Sequence, residues 1–180
     1  IKTNGGSWVS ANNITLSADG SYGVLSYVID NAGNVSTTNS NFIMVDTALP
    51  SYLSNNLELN PDDGYSNNGA VYYTNYGSDT DSGIADYYVK TNNGGWLNQE
   101  SITMSVQGTY AVLSYVVDVA GNSSSTNSNM IIIDTTAPST NMISPVGPVI
   151  SATNYTVRIE SSDNLTGWTL YWSTNRNSAI

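Results

Sequence analysis

The chain has 180 residues, with no Cys or His, and a formal net charge of −10 that comes from 14 acidic and 4 basic side chains. The lack of Cys and His excludes disulfides, thiol catalysis and imidazole ligands, and the negative charge argues against nucleic acid and anionic membranes as partners. No apolar run is long enough to span a bilayer, so we expect no membrane insertion.

Short alternating apolar runs, bounded by Gly, Asn, Asp and Pro, predict strands along the chain. In chain order they are YGVLSYVID at 22–30, NFIMVD at 41–46, the two runs that flank the acidic loop at 79–83, SITMSV at 101–106, YAVLSYVVD at 110–118 and NMIIID at 129–134. Asn93-Gly94 and the two Ala-Gly-Asn segments predict tight turns. No run has the spacing of an amphipathic helix, so we expect almost no helix.

The sequence repeats at a spacing of 88 residues, because 1–50 returns at 89–138 with 28 of 50 positions identical. A period of this size indicates tandem modules. We expect the C-terminal part of a module at 1–50, a complete module at 51–138 and the N-terminal part of a third at 139–180. The alternative is a permuted subunit, in which the end of one copy completes the start of the next. That alternative duplicates a strand, because YWSTN at 171–175 and IKTN at 1–4 occupy the same place in the repeat.

A motif of the form G-x-Y-x-V, then D-x-A-G-N, a strand and D-T-x-x-P occurs twice, from Gly20 to Pro50 and from Gly108 to Pro138. It resembles the bacterial immunoglobulin-like domains that stand in tandem in surface proteins and adhesins. The resemblance implies an all-β fold of tandem immunoglobulin-like β-sandwich modules, one complete and two partial. It also implies that Tyr22 and Tyr110 are tyrosine-corner residues with a structural role.

Several carboxylates fall where such modules would join. In an immunoglobulin sandwich the linker that leaves one module reaches the loops at the top of the next, where crowded carboxylates would need a cation, and Ca²⁺ prefers oxygen ligands. We therefore expect a structural Ca²⁺ ion between modules, and no organic cofactor. The expected ligands are Asp46, Asp79, Asp81 and Asp118 at one junction, with Asp134 and Asp163 beginning the site at the next. The alternative is that Asp30 and Asp118 only cap their turns and the linker aspartates are solvated.

Two other kinds of site are weaker. Asn-x-Ser/Thr sequons predict glycosylation at Asn13, Asn34, Asn122, Asn154 and Asn164, several of which are expected by chance in so polar a chain. Tyr and Trp side chains could stack on sugars, although most fall in strands, where aromatics are common; Trp168 and Trp172 are the least explained pair.

No catalytic constellation is present in the sequence, so we expect a protein that is not an enzyme. We predict an extracellular or cell-surface structural protein, whose tandem domains form a rod, fibre, sheath or surface-layer filament that inter-domain calcium would stiffen. Its expected partners are neighbouring repeats or other copies of itself, and surface glycans are a further candidate. The alternative is an adhesin, or a carbohydrate-binding or accessory module of a larger secreted protein.

Overall fold

A computed structural model describes residues 1–57, 64–144, 156–165, 167–171 and 173 of the chain. Every regular element of this described part is a β-strand, which confirms the predicted all-β class. No helix within it is long and apolar enough to cross a membrane. The strands are β1 (Lys2–Thr3), β2 (Gly20–Ser26), β3 (Asn39–Val45), β4 (Ser51–Leu57), β5 (Tyr65–Ser66), β6 (Val71–Ser78), β7 (Ile84–Thr91), β8 (Leu97–Asn98), β9 (Ser101–Met104), β10 (Gly108–Asp118), β11 (Asn127–Ile133), β12 (Ser139–Ser144) and β13 (Arg158–Ser162).

These strands form four sheets, with the orders β1-β2-β3, β4-β6-β9, β5-β11-β10-β7-β8 and β12-β13. Contacts divide the chain into two compact units. Unit 1 comprises 1–57, 73–102 and 112–129, and unit 2 comprises the described residues of 58–72, 103–111 and 130–180. The predicted runs at 41–46, 110–118 and 129–134 correspond to β3, β10 and β11.

In unit 1, β10 shows the alternation that a strand buried on one face requires. Val112, Ser114, Val116 and Asp118 are buried, and the residues between them are partly exposed. The antiparallel partner β7 places Tyr87 directly opposite Val116. Burial of these valines removes apolar surface from water, which is the main stabilising contribution to such a core.

A chain of hydroxyl groups runs through this core. The buried Tyr73 hydroxyl lies 2.6 Å from Oγ of Ser114 and 3.1 Å from the Tyr52 hydroxyl, to which Asn127 Nδ2 donates at 3.2 Å. Desolvation and the hydrogen bond with Tyr73 raise the pKa of Tyr52 to about 12. Buried polar groups stabilise a fold when each has a partner, as these hydroxyls do.

Gly77 in β6 is required by close packing. A Cβ atom added there would lie 2.7 Å from Cγ2 of Val116, which is closer than real Cβ contacts allow. Any larger residue at this position would have to displace the buried valine.

In unit 2, β5 runs parallel to β11, and the buried Ile131 and Ile133 of β11 contribute to its core. The strands β12 and β13 pair antiparallel, with Ser139 opposite Ser162. This pairing follows the same pattern as β4 with β6 in unit 1, where Ser51 lies opposite Ser78.

Both tyrosines of the repeated motif make the hydrogen bond of a tyrosine corner. The Tyr22 hydroxyl donates to the Ala18 carbonyl at 2.9 Å, and the Tyr110 hydroxyl donates to the Val106 carbonyl at 2.7 Å. Each bond joins the tyrosine hydroxyl to a backbone carbonyl four residues earlier in the chain. The predicted structural role of these tyrosines is therefore confirmed.

Candidate metal centre

Three carboxylates meet in unit 1, although they are far apart in sequence. Asp46 follows β3, Asp79 follows β6 and Asp118 ends β10. One oxygen from each lies within 4.8 Å of the others. The fold thus brings together three of the four aspartates that the sequence pattern assigns to one junction.

Asp79 is oriented by its own loop. Its Oδ1 accepts hydrogen bonds from the backbone N–H groups of Asp81, Ser82 and Gly83 at 2.9–3.0 Å. Gly83 has a φ of 81°, a left-handed conformation that favours glycine and turns the chain back toward the carboxylate. Since one oxygen accepts all three bonds, Oδ2 of Asp79 keeps its lone pairs for another ligand.

Asp118 is held by the Ala-Gly-Asn turn that follows it. Its Oδ1 accepts the Asn122 backbone N–H at 2.8 Å, and its Oδ2 accepts Asn122 Nδ2 at 2.9 Å. Desolvation raises the pKa of Asp118, but the hydrogen bonds from Asn122, Gly121 and Ala120 outweigh it and hold the pKa below its ordinary value. The turn-capping role expected for Asp118 is therefore present, and it leaves the carboxylate charged at neutral pH.

Asp46 is the member of the group with an unsatisfied atom. Its Oδ1 accepts the Ala48 N–H at 3.0 Å, whereas its Oδ2 is buried and has no hydrogen-bond partner. The residue is only 8% exposed, and its backbone carbonyl accepts a hydrogen bond from Asn122 Nδ2 at 3.2 Å. A buried charged oxygen without a partner is costly, unless a cation or a proton occupies the space beside it.

This donor set suits a hard cation. All the side-chain donors are oxygens, which Ca²⁺ and Mg²⁺ prefer, whereas zinc sites are built mainly from Cys and His. Three negative charges held this close repel one another, and a divalent ion would reverse the sign of that interaction. Ser82 Oγ, on the Asp79 loop, is another buried oxygen that has no hydrogen-bond partner.

The other predicted metal residues lie outside this group. Asp81 is exposed, and its backbone N–H supports Asp79 instead. In unit 2, Asp134 and Asp163 line one cavity of about 570 Å³, together with Trp168. Oδ1 of Asp134 accepts the Thr136 N–H, and Oδ1 of Asp163 accepts the Leu165 N–H.

Sequence reasoning missed the side chains that fix the Thr of each D-T-x-x-P segment. Asp19 accepts hydrogen bonds from both the backbone N–H and the hydroxyl of Thr47, and Gln107 accepts a bond from the Thr135 hydroxyl at 2.9 Å. Asp19 and Gln107 occupy the same place in the repeat, directly before a glycine. An acceptor at both positions was the signal that could have identified them.

The predicted sequons differ in their surroundings. Asn13, Asn34 and Asn164 are exposed, and Asn154 lies outside the described residues. The side chain of Asn122 donates to Asp46 and Asp118. A glycan on Asn122 would replace one of the two Nδ2 hydrogens, so Asn122 could not keep both of these bonds and carry a glycan.

Comparison with solved structures finds partial similarity. The PKD1 domain of the Vibrio cholerae metalloprotease PrtV is 27% identical, with a TM-score of 0.38 over 48% of this chain and 99% of that domain. The PKD1 domain of Vibrio anguillarum Epp is 22% identical, with a TM-score of 0.37 over 49% of this chain and 100% of that domain. The fibronectin(III)-like modules of Clostridium thermocellum CbhA are 18% identical, with a TM-score of 0.38 over 67% of this chain and 65% of those modules.

Among curated proteins, none matches the chain in sequence. The family model of the bacterial Ig-like domain matches residues 7–47 and 64–135, which is more than half of the chain. Both copies of the G-x-Y to D-T motif fall within or at the edge of these matched segments. The chain therefore belongs to the bacterial Ig-like domain family.

Proposed function

We propose that this chain is a non-catalytic structural part of an extracellular or cell-surface protein, in which tandem immunoglobulin-like modules form a rod. The first junction of the rod lies at residues 46–51, between the repeat at 1–50 and the module at 51–138. Its stiffness comes from Ca²⁺ bound by Asp46, Asp79 and Asp118. Neighbouring repeats are the partners that this function requires.

The observation that carries the proposal is the origin of the three carboxylates. Asp46 belongs to the first repeat, whereas Asp79 and Asp118 belong to the second, and their oxygens lie within 4.8 Å of one another. An ion bound there would therefore link two repeats. The buried Oδ2 of Asp46, which has no hydrogen-bond partner, supplies a separate reason to expect a cation beside it.

The linker itself already limits the hinge. Thr47 is bound by Asp19, and Pro50 fixes its own φ and keeps Leu49 extended. Because Thr47 and Pro50 hold the linker in this way, the main motion left at the junction is a change in the distance between Asp46 and the two loop carboxylates. Calcium coordination would remove that freedom, and chelation would restore it together with the charge repulsion.

The aromatic residues of unit 1 support a structural role over sugar binding. Tyr115 stacks on Tyr88 at 4.9 Å between ring centroids and meets the edge of Trp96 at 4.8 Å. Lys90 Nζ lies over the Trp96 ring at 4.9 Å from its centroid. Because these rings contact one another and a cation, they are engaged within the module and are not displayed as a flat platform.

Calorimetric titration with Ca²⁺ tests the proposal, combined with thermal unfolding in calcium and in chelator. We expect binding at one site in unit 1 and a higher Tm in calcium, because a ligand bound only by the folded state stabilises it. Asp79→Asn should abolish both effects, since the amide keeps an oxygen for the loop N–H groups but removes the charge. The matched control, Asp81→Asn in the same loop, should change neither.

The absence of heat and of a Tm difference in the unsubstituted chain would contradict the calcium site. Equal loss of binding in Asp79→Asn and Asp81→Asn would show that general acidity, and not the group of three carboxylates, binds the ion.

A further inference from the structure

Asn122 lies in the turn that follows β10 and makes hydrogen bonds through both its backbone and its side chain. Its backbone N–H donates to Oδ1 of Asp118 at 2.8 Å, and its carbonyl accepts the Asp118 N–H at 3.0 Å. Its Nδ2 donates to Oδ2 of Asp118 at 2.9 Å and to the backbone carbonyl of Asp46 at 3.2 Å. One amide group therefore contacts both repeats, because Asp46 belongs to the first and Asp118 to the second.

The orientation of this amide is determined by its neighbours. Both side-chain partners of Asn122 are acceptors, a carboxylate oxygen and a carbonyl oxygen, so only the NH2 end of the amide can face them. Nδ2 carries two hydrogens, and each has one partner, so its donor capacity is fully used. A side chain with fewer than two donors at this position could not make both bonds.

Asn34 provides an internal comparison, because it occupies the same place in the repeat 88 positions earlier. Its backbone N–H and its Nδ2 both donate to the Asp30 carboxylate at 2.8 Å, and its carbonyl accepts the Asp30 N–H at 3.0 Å. Within the described part of the chain, its Nδ2 makes no second bond. The bonds within the turn are thus common to both repeats, whereas the bond to a linker carbonyl distinguishes Asn122.

The bond to the linker holds two of the three carboxylates near each other. Asp46 and Asp118 repel each other when both are charged, and Oδ2 of Asp46 is buried without a hydrogen-bond partner. Asn122 opposes their separation, because it is bonded to the carboxylate of one and to the backbone of the other. Asp79 needs no such support, since its own loop orients it. The ligands are therefore organised before an ion arrives, which lowers the cost of binding it.

We propose that Asn122 is a positioning residue of the calcium site, and that it holds ligands from two repeats in place by donating to the Asp118 carboxylate and the Asp46 carbonyl at once. This inference rests on the proposed function, because it presupposes an ion between the three carboxylates. It deepens that function, since it assigns part of the calcium affinity to a neutral residue that need not touch the ion. Outer hydrogen-bond partners of this kind typically account for about 10- to 100-fold in metal affinity.

Calorimetric titration of the full chain with Ca²⁺ tests the proposal in Asn122→Ala and in its matched control, Asn34→Ala. Each substitution removes the side-chain bond to the aspartate of its turn and leaves the backbone bonds of that turn in place. Only Asn122→Ala also removes the bond to the linker. We expect the Kd for Ca²⁺ to rise about 10- to 100-fold in Asn122→Ala and to stay the same in Asn34→Ala.

Thermal unfolding separates positioning from a merely structural role. A purely structural role for Asn122 would lower the Tm of Asn122→Ala by the same amount in chelator and in calcium. Positioning predicts instead that the rise in Tm on adding a fixed concentration of calcium shrinks in Asn122→Ala, because a weaker Kd reduces the stabilisation by the ligand. In Asn34→Ala that rise should be unchanged.

NMR of the unsubstituted chain supplies a test that does not depend on whether a variant folds. If Asn122 holds its partners before the ion arrives, its Nδ2 hydrogens should exchange with water more slowly in chelator than those of Asn34. Equal exchange for the two residues would overturn the proposal, because the bridge would then be absent from the ion-free state.

Equal Kd values for Ca²⁺ in Asn122→Ala and Asn34→Ala would also overturn the proposal, while leaving the calcium site itself in place. A lack of calcium binding by the unsubstituted chain would instead contradict the proposed function, and this inference would fall with it. A raised Kd in Asn122→Ala alone, together with a smaller calcium-dependent rise in Tm, would support both.

Discussion

Asp46→Asn should have opposite effects on stability in chelator and in calcium. Without an ion, Asp46 and Asp79 place two negative charges within 4.8 Å. Their repulsion amounts to about 3.5 kcal/mol at an effective dielectric of about 20. The substitution removes one charge, keeps an oxygen for the Ala48 N–H, and replaces the buried, unpaired Oδ2 by an uncharged amide group. We expect the free energy of unfolding in chelator to rise by about 1–3 kcal/mol.

In saturating calcium the order should reverse. A ligand present at a thousandfold excess over its Kd stabilises the folded state by about 4.1 kcal/mol, which exceeds the gain expected in chelator, and Asp46→Asn would lose most of this contribution. Urea unfolding, followed by tryptophan fluorescence under both conditions, measures the two differences.

Asp134→Asn is the matched control. Asp134 occupies the same place in the repeat and accepts the Thr136 N–H in the same way, but it belongs to no group of three carboxylates among the described residues. It should therefore produce no gain in chelator. The reasoning would be refuted if Asp46→Asn destabilised the chain in chelator, or if both variants changed stability by the same amount.

Three further predictions concern the module itself. Tyr73→Phe should cost about 1–3 kcal/mol, because it leaves buried polar atoms unpaired, and ultraviolet titration should show the pKa of Tyr52 falling from about 12 toward its ordinary value of 10.0. Gly77→Ala should lower the free energy of unfolding by about 1–3 kcal/mol through overpacking, whereas Gly95→Ala, with open space around it, should change it little. The folded-state pKa of Asp118 lies below its ordinary value of 3.8. The contribution of the charged Asp118 to stability should therefore be complete above pH 3.8 and lost as the pH falls through the folded-state pKa. A carboxyl titration by NMR that gave a raised pKa for Asp118 would contradict this.

The local sequence pattern was enough to predict most strands, because the alternation of apolar and polar residues and the positions of turn residues determine them. It could not predict where β2 ends. SYVID at 26–30 and SYVVD at 114–118 are nearly the same sequence, yet only the second is wholly strand. The difference depends on whether β7 is present as a partner, which is a tertiary property that propensity does not contain.

The candidate site was predictable to a similar degree. The order of strands in an immunoglobulin sandwich was sufficient to bring Asp46 to the loops that hold Asp79 and Asp118. It could not show that Asp81 lies outside the group, because that depends on which backbone N–H groups of the loop donate hydrogen bonds to the Asp79 carboxylate. Nor could it show the burial of Ser82 Oγ, which depends on packing around a single residue.

Small-angle scattering of the 180-residue chain, in calcium and in chelator, tests the calcium-stiffened rod most directly. The protein concentration is kept low enough that light scattering shows only single copies. Any change in the scattering then reports stiffening of the chain and not association between copies. The account predicts a longer maximum dimension and a narrower distribution of distances in calcium, with both changes lost in Asp79→Asn and kept in Asp81→Asn. Identical scattering in calcium and chelator, at calcium concentrations that saturate the calorimetric site, would contradict it.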